Sequence, residues 1–496
     1  MTTTNKLDII YGIIKFYITG DFIYPIMKYI ITKERGKPAY LQLYNQLRND
    51  ILSGVLPHGS KLPSKRLISE ELGISVITAE HAYAMLCDEG YILSKERSGY
   101  FVCSDGPVFF SAAPTTFQHN IPEKRKTSDI ADAADFPFSV YAKTIRRVLS
   151  DYGEKIIIKT PGKGCAELQN AIRDYLARVR GITVQSEQIV IGSGAEYLYS
   201  LITQLFGRDK IYGIESPSYE KIEQIYRANG VKYEKLKLSG DGITSAALKN
   251  SNAEILHVTP FHSFPSGISA SASKRAEYVD WAYTRGGYII EDDYDSEFRY
   301  SGKFILPMYA EDTQNKVIYM NTFSMSMVPS LRISYMVLPP DLLQRYIDTM
   351  SFYSCTVSSF EQYALARFIS EGHFERHINH MRNYYRGQRA RILSAVKNSP
   401  LGEISKIIEQ NAGTHFLLNV RTSLSEEEVR RAGLKADLSL SMYSDYSYSD
   451  AGTSSCTLVI NYAGIPQEKI AEVAARLSSI FPECSGKNGD GSRGGR

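Results

Sequence analysis

Residues 181–207 read GITVQSEQIVIGSGAEYLYSLITQLFG. An apolar run stops at a pair of glycines, and a longer amphipathic run follows, so the stretch reads as strand, glycine turn, helix. A helix that starts directly after such a turn leaves its first N–H groups free. Those of Ala195 and Glu196 are therefore expected to form an anion site suited to phosphate. Taken alone, a glycine turn is also an ordinary connection, so this reading needs the rest of the chain.

Working outward, the alternation persists from about residue 134 to 483. KIYGIESPSY (210–219), AEILHVTP (253–260), GYIIEDDY (287–294) and KVIYMNTFS (316–324) are apolar runs that stop at polar residues. Strands alternating with helices predict an α/β fold with a mainly parallel sheet flanked by helices. In such sheets ligands sit at the carboxyl ends of the strands. There, Tyr219 could stack on a flat cofactor, although a packing tyrosine reads the same way. EDDYDSEF (291–298) ends a strand in carboxylates: Asp292 could hold a protonated pyridine nitrogen and Tyr294 could donate to a phenolate oxygen, with an ordinary helix cap as the plainer use of Asp292. NTFSMSMVPSLR (321–332) offers Thr322, Ser324 and Arg332 as phosphate ligands.

The N-terminal part has a different pattern. Residues 38–56 carry Leu41, Leu43, Tyr44, Leu47, Ile51 and Leu52 at helical spacing, closed by Gly54. A short helix is predicted after Ser64, a turn at Gly73 and a longer helix from Ser75 to about Glu89. Two β-prone runs around a polar turn follow in YILSKERSGYFVC (91–103). Three helices and a β-wing predict a winged helix-turn-helix. Lys61, Ser64, Lys65 and Arg66 lie around the second helix, Ser75 and Thr78 open the third, and Lys95, Arg97 and Gly99 lie in the wing. These are the ends that meet phosphates in such a module, and they are the expected DNA-binding residues. A small interaction domain with solvated charges is the alternative.

LPSKRLISEELGISVITAEHAYAMLCDEGYI (62–92) resembles the GntR-type winged helix, with one departure: Val76 stands where many such domains have arginine. The glycine turn, Tyr219, Asp292 and TFSMSMVPSLR occur in the order found in fold-type I aminotransferases that use pyridoxal phosphate. DFPFSVYAKTIRRVL (135–149), VTPFHSFPSG (258–267) and IIEDDYDSEFRY (289–300) agree with them. As a whole, residues 37–483 resemble the MocR/GabR family of transcriptional regulators. The resemblance implies a winged helix that binds double-stranded promoter DNA, a fold-type I domain with a small C-terminal α+β subdomain, a homodimer, and a small-molecule effector of unknown identity. In that family TFSK supplies the lysine of the internal aldimine, and here Met325 occupies its place. A thioether cannot form that bond or shuttle a proton as an amine does. Lys316 and Lys303 lie elsewhere in the sequence. No catalytic residue is expected, and pyridoxal 5′-phosphate is expected to bind noncovalently if it binds. The resemblance also places Val459 where aminotransferases hold the substrate carboxylate with arginine, which favours inherited loss over an exchange made at Met325 alone. An aminotransferase with a DNA-binding appendage is the alternative function, and Met325 counts directly against it.

Composition sets the remaining bounds. The net charge of +3, with 43% hydrophobic and 22% charged residues, is ordinary for a globular protein and does not mark a nucleic-acid binder by itself. The six cysteines form no CxxC pair, which argues for the cytoplasm and against a disulfide framework or metal site. The apolar N-terminal run is interrupted by Lys15, Asp21 and Pro25, so no membrane span is expected. Residues 1–36 are expected to be an extension outside the fold, 37–103 the winged helix, 104–133 a linker, 134–483 the aminotransferase-like domain, and 484–496 a disordered tail.

Overall fold

The computed structural model describes residues 16–19, 22–25, 29–32, 38–103, 136–300, 305–408, 412–446 and 455–484. The chain divides into two compact units, Met1–Glu123 and Lys124–Arg496.

In the first unit, strands β1 (Phe16–Thr19) and β2 (Phe22–Pro25) pair antiparallel. Helices α1 (Ala39–Leu52), α2 (Lys65–Leu72) and α3 (Val76–Asp88) precede a hairpin of β3 (Ile92–Lys95) and β4 (Gly99–Val102). The helices start where their caps predict. Ser64 Oγ accepts from Leu67 N at 3.2 Å, and Ser75 Oγ accepts from Thr78 N at 3.1 Å. Leu43, Leu47 and Ile51 of α1 pack with Ile68, Ala82, Tyr83 and Leu86 into one core. Leu41, expected in that apolar face, is instead 36% exposed.

The winged-helix unit begins earlier than the expected boundary at residue 37. Tyr29 donates to Asp50 at 2.9 Å, and Ile30 and Thr32 exchange backbone hydrogen bonds with the Gln46 and Gln42 side chains. The extension assigned to residues 1–36 is therefore corrected for residues 29–32, whose backbone is tied along α1. The sequence hid this because the partners are polar side chains of α1, Gln42, Gln46 and Asp50, which carry no periodic signal toward residues 29–32. The expected linker at 104–133 and the tail from residue 485 lie outside the described residues.

In the second unit, α4 (Phe138–Tyr152) and α5 (Ala166–Val179) lead into a sheet. Its strands are β5 (Ile189–Gly192), β6 (Ile211–Ser216), β7 (Lys232–Ser239), β8 (Gly242–Ile243), β9 (Ile255–Val258), β10 (Tyr288–Asp292), β11 (Val317–Thr322) and β12 (Ser334–Val337). Their order is β5-β12-β11-β10-β9-β6-β7-β8. Neighbours from β11 through β7 pair parallel, whereas β12 runs antiparallel to both β11 and β5. This is the mainly parallel sheet flanked by helices that the sequence predicts. Helix α6 (Ala195–Phe206) follows β5, and α7 (Glu220–Ala228) follows β6. Ile189, Ile191 and Tyr335 bury on one side of the sheet, and Val190, Ile214, Ile290 and Met336 on the other.

After the 25-residue helix His373–Lys397 comes an antiparallel sheet of β13 (Ser405–Ile408), β14 (His415–Arg421), β15 (Ser441–Met442) and β16 (Ser455–Asn461), in the order β13-β14-β16-β15. Its core includes Leu418, Val420, Leu458 and Phe481. This is the small α+β subdomain. No helix among the described residues is long and apolar enough to cross a membrane.

Candidate functional site

The sheet order brings the carboxyl ends of β5, β6, β9, β10 and β11 to one edge; β10 and β11 end at Asp292 and Thr322, and Ala195 and Tyr219 follow the ends of β5 and β6. At the end of β5, Gly194 adopts φ +97, and no side chain caps α6. A Cβ at this position would lie 2.7 Å from Arg332 Nη2, so the guanidinium rests directly over the glycine. Arg332 itself has φ +50 and follows the turn Pro329–Leu331. The free N–H groups of Ala195 and Glu196 and a cation thus converge on one place.

A carboxylate also reaches this place. Glu196 pairs with Arg332 through one oxygen and with Lys221 at 2.6 Å through the other. Burial opposes ionisation of Glu196, but the hydrogen bonds from Lys221 and Arg332 prevail and hold its carboxyl below the usual range. The Glu196 partner raises Lys221 above the usual lysine value, so this amine stays protonated. Its Nζ lies 5.8 Å from the centre of the Tyr219 ring. The sequence reading considered Lys316 and missed Lys221. Lys316 instead stacks at 4.5 Å over Tyr288, which opens β10 at the opposite strand end. Lys303 lies outside the described residues.

The ring-binding candidates are also assembled. Asp292 accepts a hydrogen bond from Tyr199 and lies 3.4 Å from His257 Nε2, while His257 Nδ1 meets Tyr226 at 2.7 Å. Burial and the neighbouring Asp292 charge keep Tyr199 well above the ordinary phenol range, so it remains a donor. Tyr199, Tyr226 and His257 hold the carboxylate in a fixed direction, and sequence reasoning missed all three. Tyr199 lies one turn along α6 from Ala195, but nothing local reveals that β10 lies beneath it. Tyr219 is 38% exposed and meets Phe264 edge-on at 5.9 Å. Tyr294 donates to the His262 carbonyl at 2.9 Å, and His262 meets Asp295 at 2.7 Å. Phe264 also meets the rings of His415 and Tyr446, residues of the small subdomain.

At the end of β11, the Thr322 hydroxyl is engaged. It accepts from Ser334 Oγ at 2.7 Å and caps the short turn Phe323–Ser326 by accepting from Ser324 N at 3.2 Å. Ser324 Oγ is buried without a protein partner. Met325 stands in the same turn and is 38% exposed. Val459 is buried in β16, where it registers with Leu417 and Ser441.

A partnerless buried hydroxyl, a glycine cradle under a guanidinium and a fixed carboxylate fit the phosphate and the pyridine nitrogen of pyridoxal phosphate. The position expected to bond its aldehyde holds a thioether, which does not fit.

In the first unit, the wing gathers cations around aromatic rings. Lys95 Nζ lies 4.8 Å and Lys61 Nζ 5.9 Å from the Phe101 ring centre, and Lys65 Nζ lies 5.8 Å from that of Tyr100. Gly99, at φ +110, admits this approach: a Cβ there would lie 3.1 Å from Lys61 Cε. Arg97 occupies the hairpin tip in the left-handed region at φ +56. Lys65 also pairs with Glu80 of α3. Arg66 lies in the first turn of α2. Ser64, Ser75 and Thr78 are brought to the helix starts, where their hydroxyls serve as caps or bond each other.

Residues 39–102 match the family described as bacterial regulatory proteins, gntR family, and residues 131–477 match aminotransferase class I and II. An HTH-type transcriptional regulator of Bacillus subtilis, YdeL, described as uncharacterized, is 36% identical over 90% of this chain and 97% of its own length. The chain belongs to this family of fused regulators. Within it, the probable rhizopine catabolism regulatory protein MocR of Rhizobium meliloti is 28% identical, covering 91% of this chain and 95% of that protein. The fold of the second unit matches the crystal structure of Pyrococcus horikoshii kynurenine aminotransferase with TM-score 0.63 and 23% identity, over 72% of this chain and 92% of that one. The family is thus one of transcriptional regulators that join a GntR domain to an aminotransferase-like domain.

Proposed function

We propose that this regulator binds promoter DNA through its winged helix and uses its aminotransferase-like domain as a receptor, holding pyridoxal phosphate without a covalent bond. Met325 carries this reading. Gly194, Ala195, Ser324 and Arg332 supply the phosphate contacts, Asp292 the ring-nitrogen partner, and Tyr219 a face for the ring. Tyr294, the candidate partner of the phenolate oxygen, rests on the His262 carbonyl and would have to turn its hydroxyl from it to serve the ring. When bound, the cofactor supplies an aldehyde able to condense with amines. Lys221 is disfavoured as that amine, because its ammonium is paired with Glu196, which raises it above the usual lysine value. A receptor needs a ligand that distinguishes two conformations rather than turnover, so loss of the lysine is compatible with regulation.

The second unit also exposes large apolar side chains: Phe138 of α4 at 72%, Ile157 and Ile158 just after it at 74% and 67%, and Phe352 at 74%. Exposure of several such residues favours a homodimer that covers them. The scattered cysteines and the DNA-binding role favour a cytoplasmic protein.

The test is to add pyridoxal phosphate to the full-length protein, remove the excess by desalting, and treat with borohydride before and after denaturation. Cofactor is expected to be retained and then fully released on denaturation, with no fixation by borohydride. Met325→Lys should convert the same sample to borohydride-fixable cofactor. Fixation by the unaltered chain would overturn the noncovalent reading, and failure to retain cofactor would overturn the cofactor role. Binding of family-type promoter duplexes by the same preparation tests the regulator role separately.

A further inference from the structure

The start of α3 has an unusual surface for a helix that enters a DNA groove. In a helix-turn-helix the N-terminal residues of the second helix meet the base edges. Here that helix, VITAEHAYAMLCD, contains no lysine or arginine. Several polar groups near its start already have partners within the module. Ser75 Oγ accepts from Thr78 N at 3.1 Å and lies 2.8 Å from Thr78 Oγ1. Glu80 is paired with Lys65. The His81 ring stacks on Tyr40, with centroids 4.1 Å apart.

The side chains left facing solvent at the first two helical positions are Val76 and Ile77, which are 43% and 77% exposed. A single exposed apolar residue is ordinary. Two adjacent ones at the base-contacting positions, beside the lysines gathered on the wing, call for a specific partner. The lysines Lys61, Lys65 and Lys95, gathered around Tyr100 and Phe101, complement a phosphate backbone. The partner is therefore duplex DNA, and the apolar feature of a major groove is the thymine 5-methyl group.

We propose that Val76 and Ile77 read thymine methyl groups, so that sequence preference at the start of α3 rests on apolar contacts rather than on a cation bound to guanine. This inference rests on the DNA-binding reading above and adds the base chemistry to it. The lysines hold the backbone and the two aliphatic side chains select the bases.

The experiment selects duplexes from a randomised library with the full-length protein and measures affinity at one fixed salt concentration. Thymines of the best duplex are then replaced one at a time by deoxyuridine, which keeps base pairing and removes only the methyl group. Substitution at one or two adjacent positions per half-site should weaken binding about fourfold for each methyl lost. Ile77→Ala should weaken the thymine duplex and abolish the thymine–uracil difference at one position, and Val76→Ala should do so at its neighbour. Lys95→Ala should weaken both duplexes alike and flatten the salt dependence.

Because Ile77 is largely exposed, its truncation should leave the unfolding midpoint unchanged, so a loss of binding is not a loss of fold. Sequence-specific binding that is indifferent to uracil everywhere would overturn the inference and leave the regulator role standing. A change of oligomeric state in Ile77→Ala with unchanged DNA affinity would assign the side chain to a protein contact and also overturn it. No enrichment of any duplex would overturn the DNA-binding reading, and this inference with it.

Discussion

Two helix starts in this molecule solve the same problem in opposite ways. At α3, the free N–H groups are answered from within the chain, because Ser75 supplies a hydroxyl to Thr78 N. At α6, the residue before the helix is Gly194, which has no side chain to offer and turns with φ +97. The N–H groups there remain open, and Arg332 lies across them. A closed start leaves the exposed side chains beside it to make outside contacts, which at α3 are aliphatic. An open start makes the backbone itself the binding group, which at α6 favours an anion.

The largest effect should come from closing the open start. Gly194→Val adds a side chain in a strained left-handed conformation and forces Arg332 aside. Retention of pyridoxal phosphate after desalting should fall about ten- to a hundredfold, the loss of a hydrogen-bond set to a charged group. Unchanged retention would mean that phosphate is not held at this helix.

Opening the closed start should have a smaller effect. Ser75→Ala removes the cap of α3 and should cost ~1 kcal/mol of winged-helix stability. Amide exchange in the first turn of α3 reports this directly, and cofactor retention in the second unit should not change.

The smallest effect concerns the carboxylate that already answers the α6 cation. Glu196→Gln frees Arg332 and Lys221 for an incoming phosphate, so affinity for free pyridoxal phosphate should rise about two- to fivefold. The sign with pH follows from the lowered Glu196 value. Its pairing contributes stability above the ordinary carboxylate range and loses it as pH falls through the depressed value. Because the pair is half exposed, salt should diminish the difference between Glu196→Gln and the unaltered chain. A decrease in affinity would show that Glu196 positions Arg332 for the ligand rather than competing with it.

Much of this was readable from local pattern. Ser64 and Ser75 cap the helices expected of them, and β5, the glycine turn and α6 follow one another as residues 181–207 indicate. Such features depend on neighbours a few positions apart, so period and cap chemistry reveal them. The hydrogen bonds of residues 29–32 to α1 were not legible, because an apolar and interrupted N-terminal run gives no signal of side-chain partners 10 to 21 positions ahead. The amine of Lys221 was not legible for a related reason. Chain spacing set Lys316 before β11, away from the site, as the sheet does, but it gave no sign that α7 brings Lys221 beside Tyr219 at the other strand ends.

From the chain alone came the two domain types, the order of strand ends that carry the site, and the thioether at Met325. These are properties of residue identity and short-range spacing. Folding settled which groups answer one another: Tyr199 and His257 on Asp292, Lys221 and Arg332 on Glu196, and the hydroxyls of Ser75 and Thr78 on each other. Polar side chains take the partner that packing brings within bonding distance. Where a hydroxyl is consumed by a cap or a carboxylate claims a cation, the surface that remains for an outside ligand changes, and only the packed chain shows which atoms are left.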